Sequence, residues 1–311
     1  MPFSLAVLQS ESGPISVVEI GEAYYRLEDL LPDLVFRREH GLLDVLDRWH
    51  EIEPTIVRAI ELSRHGRIAA QPTPDQSQFL APILYPSKII CTGTNFYDHL
   101  KTDMKIFDFD KSKVDILFFI KHPHALVGPA TSIRFPSQSR EVDWEIELVV
   151  VFGKAGRRIP IEAAADYVAG YAIGVDLSAR DWQMNPRHFK QFDLMAGKSF
   201  DDSAPLGPHI VPARYVDPTN LTMRLWVNGD LKQDSNTNQM IWSIPEQISQ
   251  LSQHVTIEPG DVLYTGSPAG IGWVSKSFLK LGDRIEAEIS GLGRLEIDLI
   301  QDPDSAAARL L

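Results

Sequence analysis

Three acids, Asp143, Glu145 and Glu147, alternate along the stretch VDWEIELVVVFGK. On an extended strand their side chains share one face, roughly 7 Å apart at successive positions. Trp144, Ile146, Leu148 and Val150 share the other face. The Val- and Ile-rich run that follows predicts burial over much of the strand, where carboxylates packed side by side repel strongly. Two arrangements tolerate such a face: a solvated strand edge, or oxygen ligands converging on a hard divalent cation. A glycosidase-type pair suits it less, because those carboxylates stand about 5–9 Å apart across a sugar bond. A second group lies in VDLSARDWQ, where an apolar strand runs into Asp176 and then a predicted helical turn with Ser178 as a nearby cap. On a helix Asp176, Arg180 and Gln183 would fall at i, i+4 and i+7, on one face. An acid, a guanidinium and an amide aimed together suit an anionic, oxygen-rich ligand, a surface ion pair being the plainer alternative.

Both groups need strands to carry them, and the sequence supplies these from Pro82 onward. Short β runs (KIICTG, DILFFI, EIELVVVFG, TMRLWVNG, DVLYTG, RIEAEIS, RLEIDLI) are separated by Gly, Pro and Asp turns, a pattern of sandwich, roll or barrel type rather than a βαβ series. Before them, SLAVLQ and ISVVEIG read as strands, and the stretches Leu42–Trp49 and Pro54–Arg64 as helices. The polar, proline-bearing stretch at 69–78, AAQPTPDQSQ, reads as a linker or a surface loop. The expectation is a β-dominated α+β chain with a small N-terminal domain over 1–75 and a catalytic domain over 80–311. No GxGxxG follows a strand and no GxxxxGK[ST] is present, so the nucleotide-binding motifs are absent.

Composition narrows the partners. The 311 residues are 44% hydrophobic and 23% charged, an ordinary soluble composition. A formal charge of -12 disfavours nucleic acid and anionic membranes, and requires that an anionic substrate be drawn in locally. No window approaches the roughly 20 apolar residues of a membrane span, and MPFSLAVLQSESGPIS has no signal-peptide pattern. One cysteine, Cys91, excludes an internal disulfide framework and a Cys-rich zinc site. A cytoplasmic location is the expectation.

Seven pieces, in order, resemble the fumarylacetoacetate hydrolase superfamily: CTGTNFYDH (91–99), DWEIELVVVFGK (143–154), VAGYAIGVDLSARDWQ (168–183), GKSFDDSAPLGPHIV (197–211), VNGDLKQ (227–233), GDVLYTGSPAGIG (260–272) and LGDRIEAEISGLG (281–293). The branch they suggest contains acylpyruvases and 2-hydroxyhepta-2,4-diene-1,7-dioate isomerases. The resemblance spans residues 82 to 300 and implies a mixed β-sandwich roll around a divalent metal, usually as a homodimer. It assigns the metal ligands to Glu145, Glu147 and Asp176, with Mg²⁺ or Mn²⁺, or else Ca²⁺, as the ion. Asp143 has no ligand role in it and is expected behind the site or exposed. Arg180, Gln183 and Thr265 are implied as substrate contacts. Lys198 is implied as the cation that neutralises developing enolate charge.

His99 lies where many members read N-Y-x-x-H-x-x-E, a His–Glu pair that activates water. Here Thr102 stands at the glutamate's position and Asp103 follows one residue later. On a helical turn both +3 and +4 face His99, which makes Asp103 the candidate acid. The expected function is metal-dependent hydrolysis of a C–C bond in a 2,4-dioxo acid, such as an acylpyruvate or a fumarylacetoacetate-like substrate. His99, Asp103 and Lys198 would do the chemistry. The altered histidine-to-acid spacing gives weight to an alternative: a metal-dependent lyase, either an oxaloacetate-type decarboxylase or a 2-keto-3-deoxy sugar acid dehydratase. A non-catalytic oxo-acid binder is the reading from another class. His122 and His124 resemble a metal pair but are expected to be structural or pocket-lining.

Overall fold

The computed structural model describes residues 2–63, 78–129 and 132–302. Its strands are β1 (Ser4–Ser10), β2 (Gly13–Ile20), β3 (Ala23–Arg26), β4 (Ile89–Gly93), β5 (Leu117–Lys121), β6 (Leu126–Val127), β7 (Ile133–Phe135), β8 (Val142–Asp143) and β9 (Ile146–Phe152). There follow β10 (Val168–Val175), β11 (Ser178–Ala179), β12 (Ala204–Pro212), β13 (Thr222–Val227), β14 (Asp230–Asn236), β15 (Val262–Tyr264), β16 (Arg284–Ile289) and β17 (Gly293–Gln301). A ten-stranded mixed sheet runs β3-β2-β1-β12-β10-β9-β15-β4-β5, with β6 beside β12. A five-stranded sheet runs β14-β13-β16-β17-β7, and β8 pairs with β11. This is the β-dominated α+β architecture expected from the run of short strands.

The valine-rich run is explained by β9, which is buried on both faces. Ile146, Leu148, Val150 and Phe152 share a core with Leu225, Ile285, Ala287, Leu295 and Ile297 of the smaller sheet. Val149 and Val151 face the opposite way, into a core formed with Val7, Val45, Leu46, Ile52 and Ile56. The helix Trp49–Ser63 supplies the last two of these. Alternation therefore puts apolar residues on both sides of β9, with Glu147 its one polar side chain. Leu5 pairs with Ile210 and Ala6 with His209, so the N-terminal strands continue the large sheet. Residues 75–77 of the expected division at 75–80, and most of the linker at 69–78, lie outside the described residues. No described helix is long and apolar enough to cross a membrane.

Candidate active site

The acidic stretch is not one continuous strand. Between β8 and β9 the ladder is interrupted at Trp144 and Glu145, and the Ile146 amide donates to the Gln233 side chain at 2.9 Å instead. The interruption separates the three acids into different roles. Glu145 and Glu147 meet Asp176, at the end of β10, and ligand oxygens of all three lie within 4.8 Å of one another. Among the described residues they are the one group of three or more metal-competent side chains so placed. Their hard oxygen donors fit a divalent cation of the Mg²⁺, Mn²⁺ or Ca²⁺ kind.

The electrostatics of the group fit a cation. Burial, with Asp176 and Glu145 adding to it, pushes the Glu147 carboxyl well above the usual range. Its Oε2 accepts the Gly266 N–H at 2.6 Å. Gly266 has a φ of +101°, and a Cβ there would stand 2.6 Å from that of Asn95, so glycine is what lets this amide reach the carboxylate. Burial opposes ionisation of Glu145 too, but Lys198 and Arg180 outweigh it and hold its pKa at about 2. Lys198 Nζ donates to Glu145 Oε2 at 2.9 Å and to Asp176 Oδ2 at 2.7 Å. Burial would depress this ammonium, but Asp176 and Glu145 hold its pKa above the ordinary value. Asp176 Oδ1 lies 2.7 Å from Lys121 Nζ yet accepts no hydrogen bond.

Asp143 is fully buried rather than exposed. Its Oδ1 accepts the Gly272 and Trp144 amides at 2.6 and 2.9 Å, and its Oδ2 accepts the Trp273 amide at 3.0 Å and Arg180 Nε at 2.9 Å. Arg180 Nη2 lies 2.8 Å from Asp143 Oδ2 and also donates to Glu145 Oε1. Burial raises the Asp143 pKa despite this guanidinium, so the pair is held by its full set of bonds. Asp143→Asn is expected to cost about 3–5 kcal/mol of unfolding free energy, because it leaves a buried charge short of its partner. Urea denaturation of the purified variant measures this.

The predicted helical face does not form as spaced. Asp176 follows β10, β11 intervenes, and the helix is only the turn Arg180–Gln183, whose cap position is Ala179 without a side-chain bond. Ser178 instead donates to the Asp176 carbonyl at 3.3 Å. Asp176, Arg180 and Gln183 nevertheless converge on one cleft of about 290 Å³, with Glu145, His99 and Lys198. Arg180 commits Nε and Nη2 to acids, and Nη1 remains, 3.4 Å from Gln183 Oε1. Thr265 is the predicted contact that the structure does not bring to the cleft. It is fully buried, and its hydroxyl donates to the Leu148 carbonyl at 2.8 Å, because that carbonyl lies beside the end of β15. Ser267, two residues on, lines the cleft in its place. A larger cleft of about 440 Å³, lined by Arg140, Lys232 and Lys276 among others, shares no residue with this one.

Residues His99–Asp103 form a π turn, closed by the Met104 amide on the His99 carbonyl at 3.2 Å. The wider turn absorbs one extra residue and brings Asp103 Oδ2 to 2.6 Å from His99 Nδ1. The Gly270 amide also donates to this carboxylate at 3.2 Å. The +4 acid thus reaches the imidazole in place of a +3 acid. His122 and His124 stand with ring centroids 6.1 Å apart, and His122 Nε2 is 3.3 Å from Asp201; neither joins the acid group.

Residues 88–300 match the family described as Fumarylacetoacetate (FAA) hydrolase C-terminal, and the chain belongs to that family. "Oxaloacetate tautomerase Fahd2a, mitochondrial" of Rattus norvegicus is 42% identical over 240 residues, which are 76% of this chain and 74% of that protein. A fumarylpyruvate hydrolase from Pseudomonas aeruginosa, solved in complex with Mn²⁺ and pyruvate, is 36% identical with a TM-score of 0.62, covering 70% of this chain and 91% of that one. A fumarylacetoacetate hydrolase from Exiguobacterium antarcticum superposes over 96% of this chain and 100% of its own, with a TM-score of 0.79 and 28% identity.

Proposed function

We propose that this chain is a metal-dependent enzyme that interconverts the keto and enol forms of an oxaloacetate-type 2-oxo acid. Mg²⁺ or Mn²⁺ would be held by Glu145, Glu147 and Asp176. The observation that carries the reading is the His99–Asp103 pair, 2.6 Å apart, with His99 lining the cleft that also holds Lys198, Glu145 and Asp176. The name of the 42% identical rat relative supports it. It departs from the hydrolysis expected of the motifs and lies nearer the lyase alternative, since the central species is an enolate and no water is consumed.

When bound, the dication supplies Lewis-acid polarisation of the 2-oxo group. Asp103 accepts the Nδ1–H of His99, which fixes the tautomer with a lone pair at Nε2. Nε2 then removes the proton from C3 of the keto acid. The electron pair of that C–H bond becomes the C2–C3 double bond, and the carbonyl pair moves onto oxygen. Lys198 has three N–H bonds and spends two on Glu145 and Asp176, so the third is available to the oxygen that gains charge. Transfer of the proton held on His99 Nε2 to that oxygen completes the enol and restores the neutral imidazole, and the reverse direction retraces the same two transfers. Arg180 Nη1 and the Gln183 amide orient the substrate carboxylate. A homodimer, implied by the resemblance, is part of this proposal, and light scattering on the purified protein tests it.

A second reading keeps the same residues but lets His99 Nε2 deprotonate a water that cleaves an acylpyruvate. The likeness to the fumarylpyruvate hydrolase favours it. Metal-stripped protein with and without Mg²⁺ or Mn²⁺ separates the two, using enol-oxaloacetate and an acylpyruvate as substrates with products identified. The expected result is metal-dependent decay of the enol absorbance with all carbon recovered as keto-oxaloacetate. Release of pyruvate and a second acid from the acylpyruvate, with the enol decaying at its uncatalysed rate, would replace the tautomerase by the hydrolase. Metal-dependent release of CO₂ from oxaloacetate would make the protein a decarboxylase.

A further inference from the structure

Lys121 closes β5, a strand of otherwise apolar residues, and its side chain is fully buried. Its Nζ donates to the carbonyls of Leu177 at 3.1 Å, of Ser203 at 2.9 Å, and of Lys198. The Ser203 hydroxyl, 3.2 Å from Nζ, is a fourth acceptor. Lys121 Nζ also lies 2.7 Å from Asp176 Oδ1, while Asp176 Oδ2 faces Lys198 Nζ at 2.7 Å. Asp176 therefore has one ammonium against each oxygen. The segments so gathered are 56, 77 and 82 residues from Lys121 in sequence. One follows Asp176 directly, one ends the helix Leu194–Lys198, and one enters β12. A charge so deeply buried is tolerated only when it is this fully coordinated.

We infer that Lys121 is a positioning residue of the active site, a single ammonium that locks the Asp176 carboxylate and the Lys198 main chain in one arrangement. Its charge stands 2.7 Å from Oδ1 of Asp176, and this attraction biases the plane of that carboxylate and the direction its other oxygen faces. By fixing the Lys198 carbonyl it also fixes the point from which the Lys198 side chain enters the cleft. Partners standing behind metal ligands act in this way, and their loss commonly lowers affinity or activity 10- to 100-fold. The inference rests on the metal site of the proposed function but not on its substrate.

The test is calorimetric titration of Mn²⁺ into metal-stripped wild-type protein, Lys121→Met and Lys121→Gln, with kcat and KM measured on the same samples. We expect the Mn²⁺ Kd to rise about 10- to 100-fold and kcat to fall by a similar factor, with KM changed much less. A lysine that only repelled the dication would give the opposite sign, tighter Mn²⁺ binding once removed. A lysine that only supported folding would lower Tm and leave Kd and kcat of the folded protein unchanged. Either result overturns the assignment. Lys121→Gln keeps two donors for the carbonyl cage and serves if Lys121→Met does not fold; failure of both to fold would assign Lys121 to folding instead. Wild-type protein that takes up no Mn²⁺ would remove the metal site itself, an outcome distinct from an unchanged Kd in the variants.

Discussion

Glu147→Gln is expected to abolish measurable Mn²⁺ binding and to lower metal-dependent turnover by about 10³-fold or more. The figure follows from several kcal/mol of charge stabilisation supplied by a bound dication, at about 1.4 kcal/mol per decade. The same substitution should raise the thermal stability of the metal-free protein. Glu147 is buried beside Asp176 and Glu145, which push its pKa well above the usual carboxylate range, and a neutral amide removes that repulsion. Loss of metal binding together with a higher Tm in EDTA distinguishes a ligand from a residue needed only for folding. A variant that still bound Mn²⁺ with wild-type affinity would exclude Glu147 from the ligand set. Glu145 differs, because Lys198 and Arg180 already hold it ionised, so Glu145→Gln should carry no such gain in stability.

The second large effect concerns the proton. His99→Ala is expected to lower kcat about 10²- to 10⁴-fold while leaving the Mn²⁺ Kd near its wild-type value, since His99 is not among the grouped metal-competent side chains. Asp103→Asn should act in the same direction, at least about tenfold, because an amide can donate to Nδ1 and favour the wrong tautomer. Its effect should be seen in kcat more than in KM. An unchanged kcat in His99→Ala would remove the base from the mechanism, and an unchanged kcat in Asp103→Asn would reduce the 2.6 Å contact to a structural one.

The sequence by itself determined the chemical inventory of this protein. Alternating acids before a valine-rich run, an acid at the end of a second apolar run, and a histidine with an acid four residues on are local patterns, and each survives folding because it depends only on residue type and spacing. The β-dominated class was legible for the same reason. What only the tertiary structure decided is which way side chains point and what they meet across long sequence separations. The interruption at Trp144 and Glu145 buries Asp143 behind Arg180 instead of leaving it in line with Glu145 and Glu147. The π turn admits Asp103 where an ordinary helical turn would leave +3 and +4 equally placed. Thr265 turns its hydroxyl to the Leu148 carbonyl, 117 residues away, and Lys121 finds acceptors up to 82 residues distant. Spacing along a strand or helix cannot encode such contacts. They are set by how packed elements meet, where a buried polar atom must take the partner within reach of it.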